Sequence, residues 1–133
     1  MIFIDTGAFL ARYLSHDQYR TRATVAWERI RGRRESCFTT NFVLNEVFTF
    51  LGLRAGNLFA AERAHNIDAS KVIKILRPDH NAELQAIEIL QKFADQKISF
   101  TDFVSFAIMR QERIKRAFSF DPHFQLAGFT PVP

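Results

Sequence analysis

The chain has 133 residues, 47% hydrophobic and 24% charged, with a formal net charge of +4; that is one domain's worth of sequence with enough apolar material for a core. Its single cysteine, Cys37, excludes an internal disulfide and a cysteine-built zinc site, and suits a reducing cytoplasm. No run approaches the ~18 apolar residues of a membrane span, and a pI of about 9.6 is compatible with a polyanionic partner.

Met1 to Asp5 reads as a short apolar strand; Met1-Ile-Phe-Ile4 has no charged leader and is too short for the apolar region of a signal peptide. Thr6 opens a helix to about Leu14, and His16-Asp17 marks a break. A helix from about Tyr19 to Arg33 follows, with Ala23, Ala26, Trp27 and Ile30 on one face. Ser36 to Thr39 is the second strand. Thr40 or Asn41 caps a helix to about Leu53, and another runs from about Leu58 to Ile67. Lys71 to Leu76 alternates Val72, Ile73 and Ile75 with lysines, as a strand does. Asp79 or Asn81 opens a helix carrying Leu84, Ile87, Ile89, Leu90 and Phe93, and Thr101 opens the next, with Phe103, Phe106, Ala107 and Met109. Ala117 to Phe120 and Gly128 to Val132 are the last strands. Gly52, Gly56 and Gly128 read as turn residues. With no repeat, low-complexity tract or linker, residues 1–133 form a single domain. Strands alternating with helices argue for an α/β/α sandwich, a mainly parallel sheet of about five strands flanked by helices.

Four acids stand inside apolar frames. Asp5 ends Met1-Ile-Phe-Ile-Asp5, Glu46 lies in Phe42-Val-Leu-Asn-Glu46-Val-Phe48, Asp102 in Ile98-Ser-Phe-Thr-Asp102-Phe103, and Asp121 follows Ala117-Phe-Ser-Phe120. Carboxylates leave water only when something compensates them. Singly, the aspartates have ordinary readings: Asp5 as a cap, Asp102 as an N-cap with Thr101 outside the helix, Asp121 as the start of an Asp-Pro turn. Glu46, inside a helix, gains nothing as a cap. Asp5 and Asp121 each end a predicted strand, Asp102 sits in a first helical turn, and ligands of parallel sheets gather beyond the strands' carboxyl ends. Together the four point to one acidic pocket, whose natural occupant is a hard divalent cation held by oxygen ligands.

The arginines cluster as well. Arg20, Arg22, Arg29, Arg31, Arg33 and Arg34 crowd one segment, and Arg110, Arg113, Lys115 and Arg116 form a second group after Asp102. An acidic pocket on a basic body is the arrangement of a metal-dependent enzyme acting on phosphodiesters, with the second cluster a candidate surface for the substrate's phosphate backbone. The plainer reading of each arginine is a solvated helix face.

Four segments in order carry a family resemblance: Phe3-Ile-Asp5-Thr-Gly-Ala-Phe-Leu10, Thr39-Thr-Asn-Phe-Val-Leu-Asn-Glu46, Ser99-Phe-Thr-Asp102-Phe-Val-Ser-Phe-Ala-Ile-Met109 and Ala117-Phe-Ser-Phe-Asp121-Pro-His-Phe124. Across its whole length the chain resembles PIN-domain ribonucleases, specifically VapC-type toxins of toxin–antitoxin pairs. The resemblance implies Mg²⁺ or Mn²⁺ held by Asp5, Glu46, Asp102 and Asp121 as the catalytic acids, and RNA as substrate. It also implies hydroxyl support beside the acids from Thr6 and Thr101, a small VapB-like antitoxin, a homodimer and a cytoplasmic location. It assigns His123 no catalytic role. Asn45 either orients Glu46 or faces solvent. Trp27, Phe48, Phe50 and Phe59 read as core or subunit contacts rather than base-stacking groups, and His65 and His80 as surface. The competing readings are a housekeeping RNA-processing nuclease of the same fold, a non-catalytic RNA- or protein-binding domain, and a metal-dependent phosphatase. The last lacks support because Asp5-Thr-Gly7 has no second Asp.

Overall fold

The computed structural model describes all residues, Met1–Pro133. The strands are β1 (Ile2–Ile4), β2 (Cys37–Thr40), β3 (Ile73–Leu76), β4 (Arg116–Phe118) and β5 (Thr130–Val132), and the helices are α1 (Thr6–Tyr13), α2 (Arg20–Gly32), α3 (Asn41–Ala55), α4 (Asn57–Asp68), α5 (His80–Lys92), α6 (Phe100–Gln111) and α7 (His123–Leu126). All four strand pairings are parallel, and the order is β3-β2-β1-β4-β5. Parallel neighbours need crossovers, and α1–α2, α3–α4, α5–α6 and α7 supply them in turn.

β1 is central. Ile2 aligns with Cys37 on one side and Arg116 on the other, and Ile4 aligns with Phe118. All three β1 residues are buried, as a strand covered on both faces requires, which is why it reads as an unbroken apolar run. The chain winds outward from β1 through β2 to β3, then returns to β1's other side for β4 and β5. This reversal opens a crevice between the carboxyl ends of β1 and β4, the usual binding position in such sheets.

Local chemistry sets the helix starts. The Thr40 hydroxyl accepts from the Val43 N–H at 3.1 Å, Asp79 from Ala82 at 2.9 Å, and Ser99 from Asp102 at 3.2 Å. Each satisfies an amide that a helix leaves unpaired at its first turn. Ser99 rather than Thr101 therefore opens α6, and Asp102 lies within the first turn instead of capping it.

The core comprises 31 buried residues and is held by rings. Phe106 meets Phe103 and Phe124 edge-on at 6.1 and 5.0 Å and lies 5.7 Å from Phe129. Phe3 joins through Phe124 at 6.3 Å. Trp27 is half-buried, packs 5.2 Å from Phe118 and 5.8 Å from Phe9, and donates its indole N–H to the Ala8 carbonyl at 3.1 Å. That places Trp27 against the core.

Several elements differ from the sequence expectation. β4 covers Arg116–Phe118 rather than 117–120, so Asp121 lies three residues beyond the strand, in a turn. The cause is Ser119: its backbone N–H still donates to Val132, while its side chain is drawn to Asp5 and Asp121. After Pro122 the chain makes the single-turn α7, where Asp-Pro alone suggests only a turn. β5 starts at Thr130, and Gly128, at φ +96°, makes the turn before it. Gly56, at φ +93°, links α3 to α4. Gly52 is not in a turn but inside α3, where a side chain would meet the Asn57 amide oxygen at 2.5 Å. On α5 the buried residues are Ala82, Ala86 and Ile89, whereas Leu84, Ile87 and Leu90 are exposed. No helix is long and apolar enough to cross a membrane.

Phe106→Ala removes a fully buried ring from the middle of the aromatic network. It should cost about 3–5 kcal/mol of unfolding free energy, measured by urea denaturation.

Candidate active site

The four acids converge. Asp5, Glu46, Asp102 and Asp121 line one cleft of about 480 Å³, together with Thr6, Ser99 and His123. Asp5 follows β1 and Asp121 follows β4, on either side of the crevice. Glu46 reaches it from α3, which packs against α1 and α6, and Asp102 from the first turn of α6.

Asp5 occupies the cap position of α1 with extended backbone (φ −88°, ψ 166°), but its side chain makes no capping bond. The carboxylate is instead held by Ser119, whose hydroxyl donates to Asp5 Oδ2 at 2.7 Å. The same hydroxyl oxygen accepts the Asp121 backbone N–H at 3.0 Å. Ser119, buried, thus ties the two strand exits together. Sequence reasoning missed it. The available signal was a lone hydroxyl between two phenylalanines, two residues before an acid. Thr6 donates to Glu46 Oε1 at 2.8 Å and fixes that longer side chain. Thr39 braces the same region by donating to the Ile4 carbonyl at 2.9 Å.

Asp121 Oδ1 accepts the His123 backbone N–H at 2.9 Å, the Asx turn that Asp-Pro suggests. His123 Nδ1 also lies 2.9 Å from that oxygen, but out of line for a hydrogen bond. One ligand atom each from Asp102, Asp121 and His123 falls within a 4.8 Å span. His123 is therefore at the site, although the sequence gives it no assigned role.

Other expected members lie elsewhere. Thr101 does not line the cleft, and its carbonyl accepts from Ser105 at 3.0 Å. Ser99, the cap of α6, lines the cleft beside Asp102 in its place. Asn45 is exposed and does not line the cleft, so it does not orient Glu46 from within it. The second basic cluster is remote. Arg113 and Lys115 precede β4 and Arg116 begins it, so all three lie at the amino end of the sheet, whereas the cleft opens past the carboxyl ends. Arg116 is paired with Glu35, with one contact at 3.2 Å, and this holds the Glu35 carboxyl below its usual range. Arg110 is in the last turn of α6, roughly 12 Å along the helix from Asp102 at 1.5 Å per residue. The cation that does line the cleft is Lys97.

Crowding perturbs the acids. Burial pushes Asp5 up to about 6, against the Ser119 hydroxyl and Thr6 amide, and the charges of Asp121 and Glu46 push the same way as burial. Burial pushes Asp102 to about 8, reinforced by Asp5, Asp121 and Glu46. Such a set of oxygen donors, two of them disfavoured as bare anions, fits a hard divalent cation.

A PIN domain family model matches residues 2–129. The chain belongs to the PIN domain family. It is 35% identical over 132 residues to the 23S rRNA-specific endonuclease VapC20 of two Mycobacterium tuberculosis strains, covering 99% of this chain and 98% of the relative. The crystal structure of M. tuberculosis VapC20, described as a sarcin–ricin loop cleaving toxin, superposes with a TM-score of 0.89 at 32% identity, over 98% of this chain and 97% of that one. FitAcB from Neisseria gonorrhoeae shares the fold, with a TM-score of 0.75 at 14% identity, over 100% and 97% of the two chains. The sheet, expected from the sequence to be mainly parallel with about five strands, has five, all of them parallel.

For Asp102 the folded value of about 8 lies above the ordinary 3.8. Between them the folded state keeps a proton that the unfolded chain has released, so the metal-free fold loses stability as pH rises through this window. Asp102→Asn should therefore raise the melting temperature in chelator by several degrees at about pH 8 and leave it unchanged below about pH 4. A pH-independent fall would instead make the carboxylate structural.

Proposed function

We propose that this PIN domain is a Mg²⁺- or Mn²⁺-dependent endoribonuclease and the toxin of a toxin–antitoxin pair. The observation that carries the reading is the convergence of Asp5, Glu46, Asp102 and Asp121 in one cleft at the β1–β4 crevice. The likeness to VapC20 over nearly the whole chain supports RNA as substrate and makes the sarcin–ricin loop of 23S rRNA the first to try.

Asp5, fixed by Ser119, would ligate the ion with one of Glu46 (fixed by Thr6), Asp102 and Asp121, and the remaining acids would act through its waters. When bound, the ion supplies charge neutralisation at the phosphate and an activated water. Mg²⁺ usually takes only one or two carboxylates directly, which leaves another acid to accept the proton of the attacking water. Lys97 lines the cleft and is the cation that this reading assigns to a substrate phosphate. A small VapB-like antitoxin and a second copy of the chain are the protein partners of this reading. Exposed Leu53 and Leu58 at the α3–α4 corner, and Leu84, Ile87 and Leu90 on α5, support protein contacts.

Purified, partner-free protein should cleave the sarcin–ricin hairpin with Mg²⁺ or Mn²⁺, stop in chelator, and lose activity by at least ~100-fold in Asp5→Asn. Water as nucleophile leaves 5′-phosphate and 3′-hydroxyl ends; a 2′,3′-cyclic phosphate would exclude it. Lys97→Ala should raise KM, whereas the double change Arg113→Ala, Lys115→Ala, at the far end of the sheet, should leave cleavage within about twofold of wild type.

A further inference from the structure

Tyr19 and Phe120 line the same cleft as the acids. Their rings stack 4.4 Å apart and within 3° of parallel. The Arg22 guanidinium lies 5.3 Å from the Phe120 ring and 6.0 Å from that of Tyr19. Both aromatic residues are half-buried, unlike the fully buried phenylalanines of the core.

The stack is held from both sides. Phe120 stands between Ser119, which bonds Asp5, and Asp121, so its backbone is fixed by the acids' own hydrogen bonds. Phe118 meets it edge-on at 5.9 Å. Gly7 adjoins it, and a side chain there would reach its ring edge at 3.9 Å. Tyr19 is set by Asp17, whose carboxylate accepts the Tyr19 backbone N–H at 2.8 Å. Phe120 is thus the backed member of the pair, and Tyr19 stacks on it while also lining the cleft.

RNA is read mainly where bases are unpaired, and such bases stack on aromatic side chains and guanidinium planes. A ledge of this kind beside a phosphodiester-cleaving site fixes a nucleotide relative to the scissile bond. We propose that Tyr19 and Phe120, flanked by Arg22, form a platform that holds one unpaired RNA base next to the scissile phosphate. This rests on the endoribonuclease reading of the cleft. Tyr19 and Phe120 are positioning residues, and they act on substrate choice rather than on the chemical step.

The test uses sarcin–ricin hairpins with 2-aminopurine at single loop positions, bound in Mg²⁺ to full-length Asp5→Asn protein. Stacking quenches this base. Quenching should occur at one position, disappear when Tyr19→Leu is added, and persist with Tyr19→Phe; Tyr19→Leu should also weaken binding about 10- to 100-fold. In the active protein Tyr19→Leu should raise KM more than it lowers kcat, and Tyr19→Phe should restore it. Arg22→Gln, an exposed change, gives a second reading if Tyr19→Leu is poorly folded, and should weaken the quench. No quench at any position, or a quench indifferent to these variants, overturns the platform whether or not the wild type cleaves. Quenching without wild-type cleavage would instead sink the nuclease reading and leave the platform standing.

Discussion

Asp5 must stay where water is largely excluded and charges of its own sign sit nearby. Burial and repulsion both oppose its ionised form, and the Ser119 hydroxyl is the main contact in its favour. One oxygen does two tasks there, donating to Asp5 and accepting the Asp121 amide. Because β1 and β4 are neighbours in register, Ile4 opposite Phe118, that hydroxyl can span the two strand exits. The acids on separate segments are thereby fixed with respect to one another before any ion arrives.

The winding of the sheet makes this possible. Only where the chain reverses direction do two strand exits lie side by side with no crossover helix between them. α1, α3 and α6 then bring Thr6, Glu46 and Asp102 to the same edge, and α3 touches both of the others. The aromatic core fixes α6 against β1 through Phe106, Phe124 and Phe3. Packing remote from the cleft therefore determines how closely Asp102 approaches Asp5. An unfilled site is a cost to the fold, which the buried core, the ring network included, has to offset.

The strands and helices were legible because β1 is an unbroken apolar run and the long helices carry marked caps, Thr40 and Asp79 among them. The four acids were legible because each sits in apolar company. What escaped the sequence depends on tertiary pairing. Ser119 matters only because β4 lies beside β1. His123 reaches the cleft only because Asp121 closes a turn that starts α7. Thr101 failed because neighbours in a helix diverge by about 100°, so Asp102 lines the cleft and Thr101 does not, while Ser99 supplies the cap. Arg113, Lys115 and Arg116 follow Asp102 closely in sequence, yet a helix separates them in space, so proximity along the chain misled.

That last displacement bears on how a basic protein with an acidic cleft meets a polyanion. The arginines at the end of α2 and the cluster before β4 are exposed and do not line the cleft, whereas Arg22, at the start of α2, flanks the Tyr19–Phe120 stack. Beyond about a Debye length, ~8 Å at physiological salt, the pull of these outlying charges on a polyanion is largely screened, so each contributes only a weak, salt-dependent attraction. They can raise the encounter rate without specifying where the chain is cut. At contact range the cleft itself repels phosphate until a cation offsets the carboxylates. Selection at that range has to come from short-range contacts beside the acids, and Lys97, Tyr19, Phe120 and His123 are among the non-acidic groups that the fold places there.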